Sequence, residues 1–284
     1  DLSLAGVQFK LDGKALSPED ITAPYNFNWN TQQTTNGIHV LTAVARDSAN
    51  NVTESRRVNI IVYNAPIPPP GLVAAYGFDE GDGGIATDAS GYGNDGTVTG
   101  AIWVTRGYLG GALSFNGFDN LVTVADSDSI DLTTGMTLSA WVNPAKLGGW
   151  RTAVLKEIDG DLAYSLYAGD DKSKPAGYGR FRSNSVSVRG TSKIRPKTWT
   201  HLAVTYDGAY LRLYVNGSLV RYRAKNGRLS TSTLPLRIGG NTIWGEYFRG
   251  MIDEVRIYNR ALEVAEIQSV MKLPITPHAP TRSS

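Results

Sequence analysis

Apolar and polar residues alternate with a period of two along most of this chain, in short runs broken by Gly, Asn, Asp and Pro. Successive side chains of a β-strand point to opposite faces, so such runs read as half-buried strands and the breaks as turns. The clearest run is WTHLAVTYDGAYLRLYVNGSLVRYR, residues 199 to 223. It predicts a three-stranded meander with tight turns at Asp207-Gly208 and Asn216-Gly217. Counting outward from those turns puts Leu202, Val204, Leu211, Leu213, Val215, Val220 and Tyr222 on one face, the core. His201, Ala203, Tyr210, Arg212, Tyr214, Arg221 and Arg223 fall on the other, which sets Arg212 directly opposite Arg221. Like charges in such a pair are unfavourable by about 0.2–1 kcal/mol, so an acid or an anionic ligand is expected beside them.

The punctuation divides the chain. The stretch NAPIPPPG cannot continue a central strand, because proline has no N–H to donate, and residues 64–70 read as a stiff linker. Before it, residues 1–63 hold the strand-like runs VQFKL, YNFNW, HVLTAVA and RRVNIIVY, separated by turn residues. After it, residues 71–273 form one long all-β domain, and the polar, proline-rich residues 274–284 read as a further linker or a disordered tail.

Composition narrows the chemistry. The 284 residues include 31 glycines, 14 tyrosines and six tryptophans, and no cysteine, which excludes disulfides, thiolate metal sites and a cysteine nucleophile. No apolar run approaches the roughly 20 residues that span a membrane, so no membrane insertion is expected. The net charge is only +2, but it is unevenly spread. Gly71 to Thr99 carries five acids and no Lys or Arg, whereas Gly177 to Arg228 carries eleven basic residues and one acid, Asp207. The first region suits a cation and the second an anion. Phosphate loops, nucleophile elbows and dinucleotide fingerprints are absent from the sequence, and His39, His201 and His278 have no metal-ligand spacing.

The stretch KEIDGDLAY raises the question of catalysis, since Glu157, Asp159 and Asp161 occupy alternate positions. On one strand they would share a face. Asp159-Gly160 is, however, a strong hairpin signal, and a turn there separates Glu157 from Asp161. The expectation is a turn.

The motifs LVAAYGFDEGDG, DASGYGNDGT, GGALSFNG, MTLSAWVNP, WTHLAVTYDGAYLRLYVNG, LRIGGN and GMIDEVRIYNRAL, in this order, resemble a bacterial LamG-like jelly roll of the concanavalin A-like lectin/glucanase superfamily. GVQFKLDG, APYNFNWNT and HVLTAVARDSANN resemble a bacterial immunoglobulin-like module, with the first strands of a complete sandwich missing. The resemblance implies a two-sheet jelly-roll sandwich carried on a smaller, truncated immunoglobulin-like β-sandwich, in a secreted or cell-surface protein. It also implies a structural calcium joining the first strand to the last. The matching side-chain ligand is Asp253, with carbonyls near Asp79 and near Asn116-Gly117 (Gly117), and Asp88 with Asn94 form a second oxygen-rich candidate. The laminarinase-type acid pattern is not matched at KEIDGDLAY. A faint likeness to lyases rests on His201 beside Tyr214 and Arg212, where the plain reading is a strand histidine packed on Tyr214.

Within that framework Trp141 and Trp199 read as core. Trp150 and Trp244, in glycine-flanked connections, are candidates for stacking on sugar rings, although both also fit as loop-packing residues. Tyr178, Arg180 and Arg182 are comparable candidates, His201 and Tyr214 are candidate ligand contacts beside Arg212, and Arg212, Arg221 and Arg223 are expected to favour anionic chains. The sequence therefore reads as a non-catalytic module binding a polysaccharide or glycoconjugate, with a catalytic domain allowed elsewhere in the parent protein. The alternatives are a structural adhesion module meeting a surface protein, and an unrecognised polysaccharide lyase or hydrolase. Nucleic acid is not an expected partner.

Overall fold

The computed structural model describes residues 3–35, 37–62, 64 and 69–276, so most of the proline-rich linker, the end of the tail and His278 lie outside the described residues. The chain divides into two compact units, residues 1–67 and 68–284.

The first unit is a five-stranded antiparallel sheet of β1 (Leu4–Leu11), β2 (Lys14–Ala15), β3 (Gly37–Asp47), β4 (Val52–Glu54) and β5 (Val58–Val62). β3 is the spine, bonded to β1, β4 and β5. The run YNFNW is not a strand. Asp20 draws it into a loop by accepting from the Thr22 and Asn26 amides, and the Tyr25 hydroxyl donates to the Leu4 carbonyl.

The second unit is a sandwich of two eight-stranded sheets. Its strands begin with β6 (Leu72–Tyr76), β7 (Ile85–Ala86), β8 (Gly96–Thr99), β9 (Ile102–Val104), β10 (Ala112–Asn116) and β11 (Leu121–Val124). They continue as β12 (Met136–Pro144), β13 (Arg151–Ile158), β14 (Asp161–Gly169), β15 (Ala176–Phe181) and β16 (Asn184–Arg189). The last are β17 (Thr200–Tyr206), β18 (Tyr210–Val215), β19 (Ser218–Ala224), β20 (Leu236–Ile238) and β21 (Arg249–Tyr258), followed by the helix α1 (Val264–Val270). One sheet has the order β19-β18-β17-β12-β21-β10-β9, with β6 also on β21, and the other β16-β15-β14-β13-β20-β11-β8-β7. Alternate residues such as Met136, Leu138, Ala140 and Val142 meet Val122, Ala163, Leu166 and Ile238 in the core between them. Gly177 and Gly179 bring β15 close to the core, because a Cβ there would lie 2.3 Å from Val204 and 2.6 Å from Leu229. Tyr178 and Arg180, between and beyond these glycines, consequently point outward.

The meander forms, but its last strand turns over. Leu213 pairs with Arg221 and Tyr214 with Leu219, so Val220 is an extra residue. A one-residue slip moves every later side chain to the opposite face. Tyr222, not Arg221, therefore stands opposite Arg212 and is 62% exposed, while Arg221 and Arg223 lie on the face of Leu213 and Leu211. The expected Arg212–Arg221 repulsion does not exist. Arg212 instead lies 2.5 Å from Asp207 and over the Tyr210 ring.

The outer face of β17 and β18 is closed as well. Tyr214 packs with Ala203, Tyr258, Leu262, Ile267 and Val270, the last two from α1. His201 has no exposed surface, and burial, with the Arg256 charge added, pushes its imidazole down to about 3. Among the described residues its ring nitrogens find no hydrogen-bond partner. His201 and Tyr214 are thus sealed packing residues, which corrects their assignment as ligand contacts.

Candidate functional site

The hairpin of β13 and β14 answers the question of the three acids. Ile158 pairs with Asp161 and Glu157 with Leu162, and Gly160 takes φ +64° in the turn. The acids do not share a strand face. Glu157 is buried, is paired with Arg237 at 3.0 Å, and accepts from the Thr242 amide and hydroxyl. It anchors the loop that carries Trp244.

That loop overhangs a pocket on the outer face of the β13–β16 sheet. Register lines up Tyr167, Ala176 and Arg189 across β14, β15 and β16, and Ser165, Tyr178 and Ser187 form the next row. Ala176 leaves a floor between Tyr167 and Arg189, and Tyr178 stands between two serines. Trp150, just before β13, meets Tyr167 at 5.0 Å and Tyr178 at 5.8 Å between ring centroids. The Arg189 guanidinium lies 5.6 Å over the Trp150 ring and donates to the Tyr178 hydroxyl at 2.9 Å. The opposite wall is the 239–248 loop. Fully buried Asn241 donates to Thr152 and to Glu246 and accepts from the Trp244 amide, which fixes Trp244 with 45% of its surface exposed. The resulting cavity of about 450 Å³ is lined by Trp150, Tyr167, Tyr178, Trp244, Arg189 and Glu246, with Asp161, Leu162 and Ser185 at its edge.

The polar groups are set by burial. The Tyr167 hydroxyl donates to Glu246 at 2.8 Å; burial and that neighbouring carboxylate raise its pKa far above the phenolic range. Burial also lifts Glu246, whose described hydrogen-bond donors, Tyr167 and Asn241, are both neutral. Asp161, by contrast, is paired with Arg180. Arg180 is therefore committed to an acid, and Arg182 sits in the β15–β16 turn with φ +55°, outside the cavity.

Of the expected contacts, the fold assembles Trp150, Trp244 and Tyr178 and leaves Arg180, Arg182, His201, Arg212 and Tyr214 out. Arg221 and Arg223 line a separate cleft. Tyr167, Arg189, Asn241 and Glu246 were not singled out, and only the outward alternation of Tyr167 along AYSLYAG carries a signal for any of them. Trp141 is buried against Tyr108 at 3.4 Å between ring centroids and donates to the Met271 carbonyl.

The oxygen-rich loops separate into two. Asp88 accepts from the amides of Ala75, Ser90 and Asn94 and from the Ser90 hydroxyl, and Asn94 bonds Val73, Ser127 and Ser129. Their polar atoms are used up closing the loop, which removes them as metal ligands. Gly117 lies in the turn after β10, where Asn116 pairs with Arg249, away from Asp253. Asp79 and Asp253 do converge, through the Tyr108–Gly111 loop. Asp79 accepts from the Gly111 amide, and Asp253 accepts from the Tyr108 and Leu109 amides.

Comparison with known proteins follows the same division. A bacterial Ig domain model matches residues 1–43, and the model of the concanavalin A-like lectin/glucanases superfamily matches residues 115–268. The chain belongs to that superfamily. Among solved structures it is similar to domain 4 of AbnA, a GH43 extracellular arabinanase from Geobacillus stearothermophilus, in complex with arabinotriose. The identity is 26% over 70% of this chain and 97% of that one, with a TM-score of 0.60. The binding domain of Paraclostridial Mosquitocidal Protein 1 shares the fold at 18% identity, over 70% of this chain and 51% of that one (TM-score 0.58). The botulinum neurotoxin serotype D ligand binding domain, in complex with N-acetylneuraminic acid, shares it at 14%, over 71% and 50% (TM-score 0.56). Mouse pappalysin-1 is 34% identical over 82 residues, which are 27% of this chain and 5% of that protein. No helix among the described residues is long and apolar enough to cross a membrane.

Proposed function

We propose that this chain is a non-catalytic carbohydrate-binding module of a secreted or cell-surface protein, and that it holds its glycan in the pocket of Trp150, Tyr167, Tyr178 and Trp244. The observation that carries this reading is four aromatic rings converging with Glu246 and Arg189 on one solvent-open cavity. Aromatic faces stack on the apolar faces of sugar rings, and a few fixed polar groups read hydroxyls. The arabinotriose complex of the arabinanase domain supports it. The glycan is acidic, since Lys172, Lys174, Arg221 and Arg223, unpaired among the described residues, line a neighbouring cleft that shares Arg189 with the pocket. No catalytic role is assigned to Glu157, Asp161 or His201, each of which has a packing or pairing role.

Affinity electrophoresis against neutral and acidic polysaccharides, with calcium and again with EDTA, tests the reading. Retardation on at least one glycan, lost on Trp150→Ala, is expected. A folded protein that no glycan retards would overturn it in favour of an adhesion module.

We also propose a calcium ion at Asp253 and Asp79. Asp253 is fully buried, and its Oδ1 has no hydrogen-bond partner among the described residues. Burial, with Asp79 adding to it, pushes its carboxyl up to about 7. Two carboxylates without a thiolate or imidazole suit a hard, oxygen-seeking cation. Among the described residues no three His, Cys, Asp or Glu side chains form a metal cluster, so main-chain carbonyls and water would complete the shell. Such an ion would tie β21 to the segment after β6. A ligand at 100 times its dissociation constant stabilises by about 2.7 kcal/mol, or roughly 5–10 °C in a domain of this size. Calcium is expected to raise Tm by that amount and Asp253→Asn to abolish the increment; a Tm indifferent to EDTA would remove the ion.

A further inference from the structure

Next to the aromatic pocket, and sharing Arg189 with it, lies a cleft of about 480 Å³ lined by Lys172, Lys174, Arg221 and Arg223. Among the described residues none of these four side chains has an acidic partner; the ion pairs near the cleft belong to Arg189, with Asp170 and Asp171. Four unpaired cations on one concavity repel one another unless something anionic joins them.

The cleft is also built rather than accidental. Asp170 is fully buried, and its Oδ1 accepts from the Lys172 and Lys174 amides at 2.8 and 2.9 Å. That carboxylate bends residues 170–174 into a turn, closed by the Asp170 and Lys174 backbone bond and by Ser173 at φ +60°. The turn presents Lys172 and Lys174 on one side of the cleft. The slip at Val220 supplies the other side, since it turns Arg221 and Arg223 off the face of Arg212 and toward this edge. A regular hairpin would have left both arginines on the other face.

The two cavities differ in charge. The pocket contains Glu246, whose carboxylate is held by neutral donors alone, and an acidic sugar stacked there would meet a like charge. The cleft has the opposite sign. We infer that the glycan carries neutral and acidic sugars side by side, with a neutral ring in the aromatic pocket and the carboxylate or sulfate of its neighbour in the cleft of Lys172, Lys174, Arg221 and Arg223. This inference rests on the carbohydrate reading above and narrows it. Arg189, on the boundary, would face both sugars.

Four polymers separate the possibilities in affinity electrophoresis at low salt. Hyaluronan alternates glucuronic acid with a neutral amino sugar, κ-carrageenan alternates sulfated and neutral sugars, polygalacturonate is acidic at every sugar, and arabinan is neutral. Retention is expected on an alternating polymer above both polygalacturonate and arabinan, and which alternating polymer binds distinguishes carboxylate from sulfate. The surface variant Lys172→Ala/Arg221→Ala is expected to lower that retention at least tenfold, and 0.5 M NaCl to mimic it, because exposed charges are screened within a few ångströms at such salt. Glu246→Gln is expected to raise retention on polygalacturonate. If arabinan binds best and the double variant binds like wild type, the cleft has no role while the carbohydrate reading stands. If polygalacturonate binds as well as the alternating polymers, the neutral pocket is wrong. If no polymer is retained, the carbohydrate reading itself falls.

Discussion

Trp150→Ala is expected to weaken glycan binding by about 30- to 100-fold, the loss of about 2–3 kcal/mol usual for truncating a central aromatic anchor. Trp150 holds the pocket's centre because it touches Tyr167, Tyr178 and Arg189 at once. Removing it takes away a stacking face and also frees Arg189 from its place over the ring. The fold should notice less. Trp150 lies outside the main core in a satellite cluster with Leu155, Leu162, Tyr167 and Ala176, and it is only half-buried. A Tm drop of a few degrees is the expected cost. Trp244→Ala supplies the comparison: a ring that is 45% exposed, with no described aromatic neighbour, should cost about tenfold in binding and almost nothing in Tm. Isothermal titration with the retained glycan, alongside thermal melts of both variants, reads the two effects apart. Unchanged affinity in both variants would sink the aromatic pocket as the binding site.

What the sequence disclosed follows from which interactions are local. Turn chemistry at Asp159-Gly160, Asp207-Gly208 and Asn216-Gly217 fixed hairpins that involve neighbouring residues only, and those hairpins are present. Trp150 and Trp244 stand out because binding residues tend to lie in glycine-flanked connections, and the fold brings both to one cavity. Failures came where one residue alters a period. The extra Val220 leaves no mark on the alternation of LVRYR, yet it reverses Arg221 and Arg223 and dissolves the pairing with Arg212. His201 and Tyr214 looked exposed because a strand pattern says nothing about a helix arriving from elsewhere, and α1 begins 50 residues after Tyr214. Arg189 reaches the pocket from β16, and Asn241 with Glu246 from the 239–248 loop, two segments distant in sequence that only the fold brings together. At β21 the sequence did hold a clue: Ile252, Val255 and Ile257 all face the core, a spacing of three and then two. That break in period two is the bulge at which Ser139 and Trp141 of β12 pair with Arg256 and Asp253. Asp253 and Glu254 thereby both leave the core face.

The same bulge sets up the largest expected change in stability. Glu254, at φ +54°, and Arg256 form an ion pair at 2.7 Å in which both side chains are almost wholly buried. Arg256 also donates to the Leu273 carbonyl, and the Glu254 carboxylate accepts from the Ile275 amide, so the pair clamps the chain after α1 onto β21. Arg256→Met leaves the carboxylate in place with its counter-ion gone. Breaking a buried pair from one side costs about 3–5 kcal/mol, because the remaining charge is neither hydrated nor matched. In a domain of this size that is a Tm drop of roughly 10 °C. Replacing both partners, as Glu254→Leu/Arg256→Met, removes the stranded charge, and the double variant should recover much of the loss. Thermal melts in EDTA keep the proposed ion at Asp253 out of the comparison. Hydrogen exchange at the Ile275 amide adds a local readout, since the clamp predicts faster exchange there in both variants. A single variant that melts within about 2 °C of the wild type would mean that Glu254 is protonated or hydrated once alone, and that the pair contributes register rather than stability.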